Sequence, residues 1–244
     1  MIILMKCLDE EFVVRRCISD FYDEEFVSQI IVVDGKSTDF TVQELKQFPK
    51  VSTFIHEWIR SYHYQEVIQS QICLSYVPNG EIFFILDFDE RMSDKLKETL
   101  SKIDKGEIYI PDETIVNFPR RTLDILRYEN SPHAIIGDDG WPIISHQIGQ
   151  YPDPQCRLMR KFPSFHWINS PHHVPCGHKS EIVLEGDILH FNRDDLRCRE
   201  RTEKQWAFAQ ARRKELGLTA DRFETKIKIE IAEAFEPEYW KGKK

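Results

Sequence analysis

Ile30-Ile31-Val32-Val33-Asp34-Gly35-Lys36-Ser37-Thr38-Asp39 and Ile82-Phe83-Phe84-Ile85-Leu86-Asp87-Phe88-Asp89-Glu90 decide the fold. Each is an unbroken apolar run that stops abruptly at carboxylates. A run apolar at every position suits a strand covered on both faces, as in a parallel sheet flanked by helices. Such sheets take ligands beyond the carboxyl ends of their strands, where these acids fall. Two such strands, delivering Asp34 and the Asp87/Asp89 pair to one edge, suggest a place for a divalent cation and a phosphorylated ligand.

Working outward, residues 1–105 alternate strand and helix signals. Residues 2–5 read as a first buried strand. Residues 10–21 read as a helix, with Phe12, Val13, Cys17, Ile18 and Phe21 on one face. Strand 29–33, a short helix 41–48 closed by Pro49, and strand 51–55 follow. A helix over 62–77 ends at the Pro78-Asn79-Gly80 turn, which launches the strand leading into Asp87. Ser93 fits the N-cap of a helix over 94–103. Alternation of this kind predicts right-handed βαβ units and a mostly parallel sheet.

The pattern changes after Gly106. Residues 106–192 are rich in proline, aromatics and histidine, with short strand signals at 107–110, 114–118, 157–161 and 181–189. They read as an antiparallel, loop-rich half laid against the first. Residues 193–244 are charged and helix-prone, with a break near Gly217-Leu218-Thr219. The expected organisation is thus 1–105, 106–192 and a C-terminal helical segment.

The 244 residues suffice for one large α/β domain. A net charge of −8 argues against broad, charge-driven nucleic-acid binding. No apolar stretch reaches the length of a membrane span, and the N-terminus meets Lys6 and Asp9 too soon for a signal peptide. The six cysteines are scattered without a CxxC pair, which reads as reduced thiols in a cytoplasmic setting. Arg193, Arg197, Arg199 and Arg201 alternate with Asp194, Asp195, Glu200 and Glu203. Mixed signs read as a solvated helix with i,i+4 pairs, the alternative being peripheral contact with an anionic membrane.

The carboxylates permit several roles. Asp87 and Asp89, two apart, would share one face of an extended strand end, and such a pair suits Mg2+ or Mn2+ completed by substrate phosphates. A solvated turn is the plainer reading. For Asp39 or Thr38, helix capping is the favoured role.

The order strand, helix, "VVDGKSTD", helix, strand, helix, "FFILDFDE" resembles the nucleotide-sugar-binding half of glycosyltransferase family 2, which has the GT-A fold. It is most similar to the lipopolysaccharide-core glucosyltransferases, with their "VVDxxSTD" turn and "LDADE". Downstream, residues 152–161 resemble the family's "PDxxxRLFRR" strand. Trp167-Ile168-Asn169-Ser170-Pro171-His172-His173 resembles "WxGxVHE", and Ile188-Leu189-His190-Phe191 resembles "IxHY".

The resemblance implies a GT-A, Rossmann-like α/β fold and a hexosyltransferase-like, metal-dependent inverting enzyme. Its donor would be a nucleotide-diphosphate sugar, a UDP-sugar foremost, and its cofactor Mn2+ or Mg2+. Asp34 would accept a hydrogen bond from the base, Glu10 would stand on the nucleotide side, and Asp87 would lie near ribose and diphosphate. Asp89 would ligate the cation and His190 would complete the metal site. Arg157 would hold the diphosphate or order the acceptor loop. The family carboxylate after "VH" is replaced by His173 beside His172, so His173 is the expected base, with Asp138, Asp139 and Asp153 as fallbacks. The acceptor would be a glycan or glycolipid hydroxyl, with protein or a hydroxylated DNA base as alternatives.

Two other classes compete. A nucleotidyltransferase would need a glycine-rich basic loop after the first strand, where this chain has Lys6-Cys7-Leu8-Asp9-Glu10-Glu11. A non-catalytic descendant that still binds nucleotide sugars is the other. His172, His173, Cys176 and His178 invite a zinc reading, but their spacing matches no structural zinc module and an acceptor-site loop is preferred.

Overall fold

A computed structural model describes residues 1–58, 65–124, 151–168 and 174–192. In them the expected α/β architecture is present. Its strands are β1 (Ile2–Cys7), β2 (Gln29–Asp34), β3 (Val51–Ile55), β4 (Ile82–Ile85), β5 (Glu90–Met92) and β6 (Thr114–Asp124). They continue with β7 (Asp153–Arg160), β8 (His166–Ile168), β9 (Val174–Cys176), β10 (Ser180–Val183) and β11 (Ile188–Asn192). The helices are α1 (Val14–Phe21), α2 (Thr41–Leu45), α3 (Gln65–Ser75) and α4 (Asp94–Asp104).

One sheet runs in the order β3-β2-β1-β4-β7-β6-β11-β5, with β10 also paired to β6. The strands β3, β2, β1 and β4 are parallel. Antiparallel β7 then joins β4 to β6, so β6, β7, β10 and β11 extend the same sheet, while β8 and β9 pair separately.

Period-two alternation within each apolar run explains its burial on both faces. Ile3, Met5, Ile30, Val32 and Phe84 pack under Val14, Cys17, Ile18 and Phe21 of α1 and Leu96, Leu100 and Ile103 of α4. Ile2, Leu4, Ile31, Val33, Phe83 and Ile85 face Val67, Cys73 and Leu74 of α3. Phe83 and Phe84 are fully buried on opposite faces. At about 2–3 kcal/mol for each such ring, they fix the register that delivers Asp87 to the edge.

Several boundaries differ from expectation. Helix α1 begins at Val14, because residues 10–13 form turns and Phe12 is exposed. Residues 107–110 are no strand: the amides of Gly106 and Glu107 return to the carbonyls of Ile103 and Lys102, closing α4 with a Schellman motif. The expected 181–189 strand is two strands, split at Gly186, whose φ is 117°. The short β5 and the β8–β9 pair had no clear sequence signal. Ser93 does cap α4, accepting from the Leu96 amide at 3.2 Å. The C-terminal segment lies outside the described residues. Among those described, no helix is long and apolar enough to cross a membrane, and Cys7, Cys17, Cys73, Cys156 and Cys176 are free thiols.

Candidate active site

The carboxyl edge of the parallel strands is built from two stitched loops and one clamped turn. The loop after β1 is tied to the loop after β2 by reciprocal bonds. The Asp9 amide donates to Ser37 Oγ at 2.7 Å, and Asp9 Oδ1 accepts from the Thr38 amide at 2.7 Å. The Glu10 amide donates to Thr41 Oγ1, the Glu11 amide to Asp39, and the Phe40 amide to Glu11. Asp39 also accepts from the amide and hydroxyl of Thr41, but the N-cap of α2 is Phe40 and no side chain caps it, so neither Asp39 nor Thr38 holds the N-cap position expected of it. Asp9 and Lys36 both hold positive φ, 58° and 73°, conformations that non-glycine residues adopt at some cost.

Asp34 ends β2 opposite Cys7 of β1 and is fully buried. Its Oδ1 accepts from the amides of Lys36 (3.0 Å) and Ser37 (2.8 Å). Its Oδ2 accepts from Ser37 Oγ (2.5 Å) and Cys7 Sγ (3.4 Å). The carboxylate therefore organises the turn through residues 35–37. Gly35 is required there, since a Cβ would stand 2.7 Å from the Trp58 ring and 3.2 Å from the Cys7 carbonyl. Nearby on α3, Gln69 is buried. Its Nε2 donates to the His56 carbonyl, while its Oε1 and the Trp58 indole N–H have no hydrogen-bond partner among the described residues.

The turn after β4 lies two strands away from Asp34, about 10 Å by ordinary strand spacing. Leu86 and Phe88 are buried and anchor it, whereas Asp87 and Asp89 remain about one-third exposed. The two acids diverge, which corrects the expectation of a shared extended face: the chain turns here, with the Glu90 amide bonded to the Asp87 carbonyl at 3.0 Å. Asp87 Oδ2 accepts from Arg157 Nη1 at 3.2 Å. Asp89 Oδ2 faces His190 Nε2 at 3.6 Å. Strand β11 brings that histidine to the turn, pairing His190 with Glu90 and bonding the Phe191 amide to the Asp89 carbonyl at 2.8 Å.

Sequence reading gave no separate role to Glu90, which is buried beneath this turn. It accepts from Arg157 Nη2 at 2.5 Å and from the Asp87 amide at 3.0 Å. Burial pushes its carboxyl up to about 7; Arg157 opposes the rise, and Asp87 and Asp89 add to it. Burial also works against a charged His190, but the facing Asp89 carboxylate, with Glu90, raises the imidazole above its ordinary value. Its Nδ1 lies 3.4 Å from Thr122 Oγ1.

Asp89 and His190 are the residues here that could hold a cation: their 3.6 Å separation exceeds a good hydrogen bond, and a carboxylate suits Mn2+ or Mg2+, whereas imidazole belongs more to the later transition metals. Among the described residues no cluster of three metal-ligating side chains occurs, so a cation here would draw on water and phosphate oxygens as well.

Of the other candidates, Asp153 is held by Arg120 (2.7 and 3.0 Å) and by Gln155. His178 pairs with Glu181 at 3.0 Å. His172, His173, Asp138 and Asp139 lie outside the described residues. The structure thus gathers two groups at one turn, Asp87 with Arg157 and Asp89 with His190, and sets Glu10 and Asp34 in the adjoining stitched loops.

No protein-family model matches the sequence, and no curated protein matches it. Solved structures similar to the chain include S. aureus TarS, at 14% identity and a TM-score of 0.37 over 56% of this chain and 24% of that one. The TarS 1–349 fragment in complex with UDP-GlcNAc is similar at 15% identity and a TM-score of 0.38, covering 56% and 38%. The mannosyltransferase PcManGT from Pyrobaculum calidifontis, in complex with GDP-Man and Mn2+, is similar at 16% identity and a TM-score of 0.39, covering 49% and 35%. The chain spans well under half the length of each, and the likeness is confined to part of the general fold.

Proposed function

We propose that this chain is a metal-dependent, inverting glycosyltransferase of the GT-A type. It moves a sugar from a nucleotide diphosphate, a UDP-sugar foremost, to a hydroxyl on a glycan or glycolipid, in a cytoplasmic setting. The observation that supports the reading is the meeting of Asp89 and His190, 101 residues apart, across 3.6 Å at the edge where such sheets take ligands.

Asp89 and His190 hold Mn2+ or Mg2+, which, when bound, supplies Lewis-acid stabilisation for the charge developing on the leaving diphosphate. Asp87 lines the ribose and diphosphate side. Glu10 and Asp34 belong to the nucleotide side, Asp34 through the turn that its carboxylate organises. The buried Arg157 acts on the diphosphate site through Asp87. The sugar passes through an oxocarbenium-like state, and inversion needs a base on the far face. His173, beside His172, is assigned that proton, since an imidazole titrates near neutral pH.

The test is a screen of UDP-, GDP- and dTDP-sugars for release of the nucleotide diphosphate, with and without EDTA. Release from one donor class that stops with chelation is expected. Equal release in EDTA, or none from any donor with Mn2+ or Mg2+ present, would contradict the proposal.

A further inference from the structure

The hydrogen bonds beneath the β4–β5 turn close a ring. Glu90 Oε2 accepts from the Asp87 amide (3.0 Å), Glu90 Oε1 accepts from Arg157 Nη2 (2.5 Å), and Arg157 Nη1 returns to Asp87 Oδ2 (3.2 Å). Two of its members are almost completely buried: the side chains of Glu90 and Arg157 are 1% and 5% exposed. The Arg157 Nε–H has no partner among the described residues, where the guanidinium bonds to Asp87 and Glu90. Burying a charge pair stabilises a fold little, and often less than an apolar pair of the same volume would. Stability alone therefore gives weak grounds for placing one here.

We infer that Glu90 is a positioning residue which, through Arg157, fixes the direction of the Asp87 carboxylate and leaves Asp89 as the carboxylate that faces His190 and the cation. The inference rests on the reading of Asp89 and His190 as cation ligands. The charges follow the geometry. Glu90 and Arg157 offset each other, and the second arm of the fork holds Asp87. Strand β11 meanwhile holds the Asp89 backbone through the Phe191 amide. Each aspartate thus has its own tether, one from β7 and one from β11. Without the ring Asp87 could swing toward Asp89, and the two like charges would repel or share the ion in another geometry. Groups that orient metal-binding residues in this way typically change metal affinity about 10–100-fold when removed.

The experiment measures Mn2+ binding in the presence of UDP, by the EPR signal of free Mn2+, with thermal unfolding recorded alongside. Glu90→Gln alone would strand a buried guanidinium, so the decisive variant is Glu90→Gln with Arg157→Met, which removes both charges at similar volume. It is expected to keep a melting temperature near the parent's and to bind Mn2+ with UDP at least about tenfold more weakly. Should it fail to fold, Arg157→Lys, which keeps one charge but cannot span two carboxylates, has the same expected weakening. Parental affinity in whichever variant folds, with affinity lost in Asp89→Ala, would overturn this inference alone. Parental affinity in Asp89→Ala would overturn the site reading, and this inference with it.

Discussion

Replacing Asp34 with alanine removes the acceptor around which the turn after β2 is built. The residue is fully buried, and its two oxygens take the amides of Lys36 and Ser37, the Ser37 hydroxyl and the Cys7 thiol. Leaving aside the weak thiol, three donors lose a charged partner. In a part-buried turn each loss costs about 1–1.5 kcal/mol, so the three cost about 3–5 kcal/mol together. Domains are commonly stable by about 5–15 kcal/mol, so this is a large share. Asparagine is the informative control. Its carbonyl oxygen still accepts from both amides, its NH2 can donate to Ser37 Oγ, and the loss is expected at about 1–2 kcal/mol. Urea unfolding followed by tryptophan fluorescence reads both, with the midpoint falling and the slope unchanged. Alanine costing under about 1 kcal/mol, or asparagine costing as much as alanine, would refute this account of the turn.

Gly186→Ala should cost more than about 3 kcal/mol, because its φ is 117° and a Cβ would stand 2.4 Å from the Leu96 Cα, which is backbone that cannot move aside cheaply. Gly80→Ala, at φ 88° with open space, should cost only about 1 kcal/mol, and equal thermal shifts for the two would contradict the argument. His173→Ala should abolish sugar transfer while sparing nucleotide binding; full activity in that variant removes His173 as the base.

Much of the fold was legible because residues 30–33 of β2 and all of β4 are apolar without a break, which suits a strand covered on both faces. Asp89 and His190 were grouped as metal ligands from family likeness rather than from spacing, and their side chains stand 3.6 Å apart. The missed features depend on distant partners. Glu90 reads as one more solvated acid after Asp89, yet it is buried because Arg157, 67 residues later, enters from the antiparallel β7. Asp87 and Asp89 alternate as though extended, but the chain turns between them, which is the plainer of the two readings that the sequence allowed. Strand 181–189 looked continuous because the break at Gly186 is dictated by the backbone of α4 packed against it. Phe12 fits the helical period of α1 but precedes its first turn, where the loop is tied instead to residues 39–41.

The central claim is that Asp89 and His190 clasp a cation beside a nucleotide diphosphate. Calorimetry of UDP with and without Mn2+, on the parent protein and on Asp89→Ala, tests it most directly. The account predicts that UDP binding requires Mn2+ and weakens at least about tenfold in the variant. UDP bound equally well without metal, or equally well by Asp89→Ala, would contradict it.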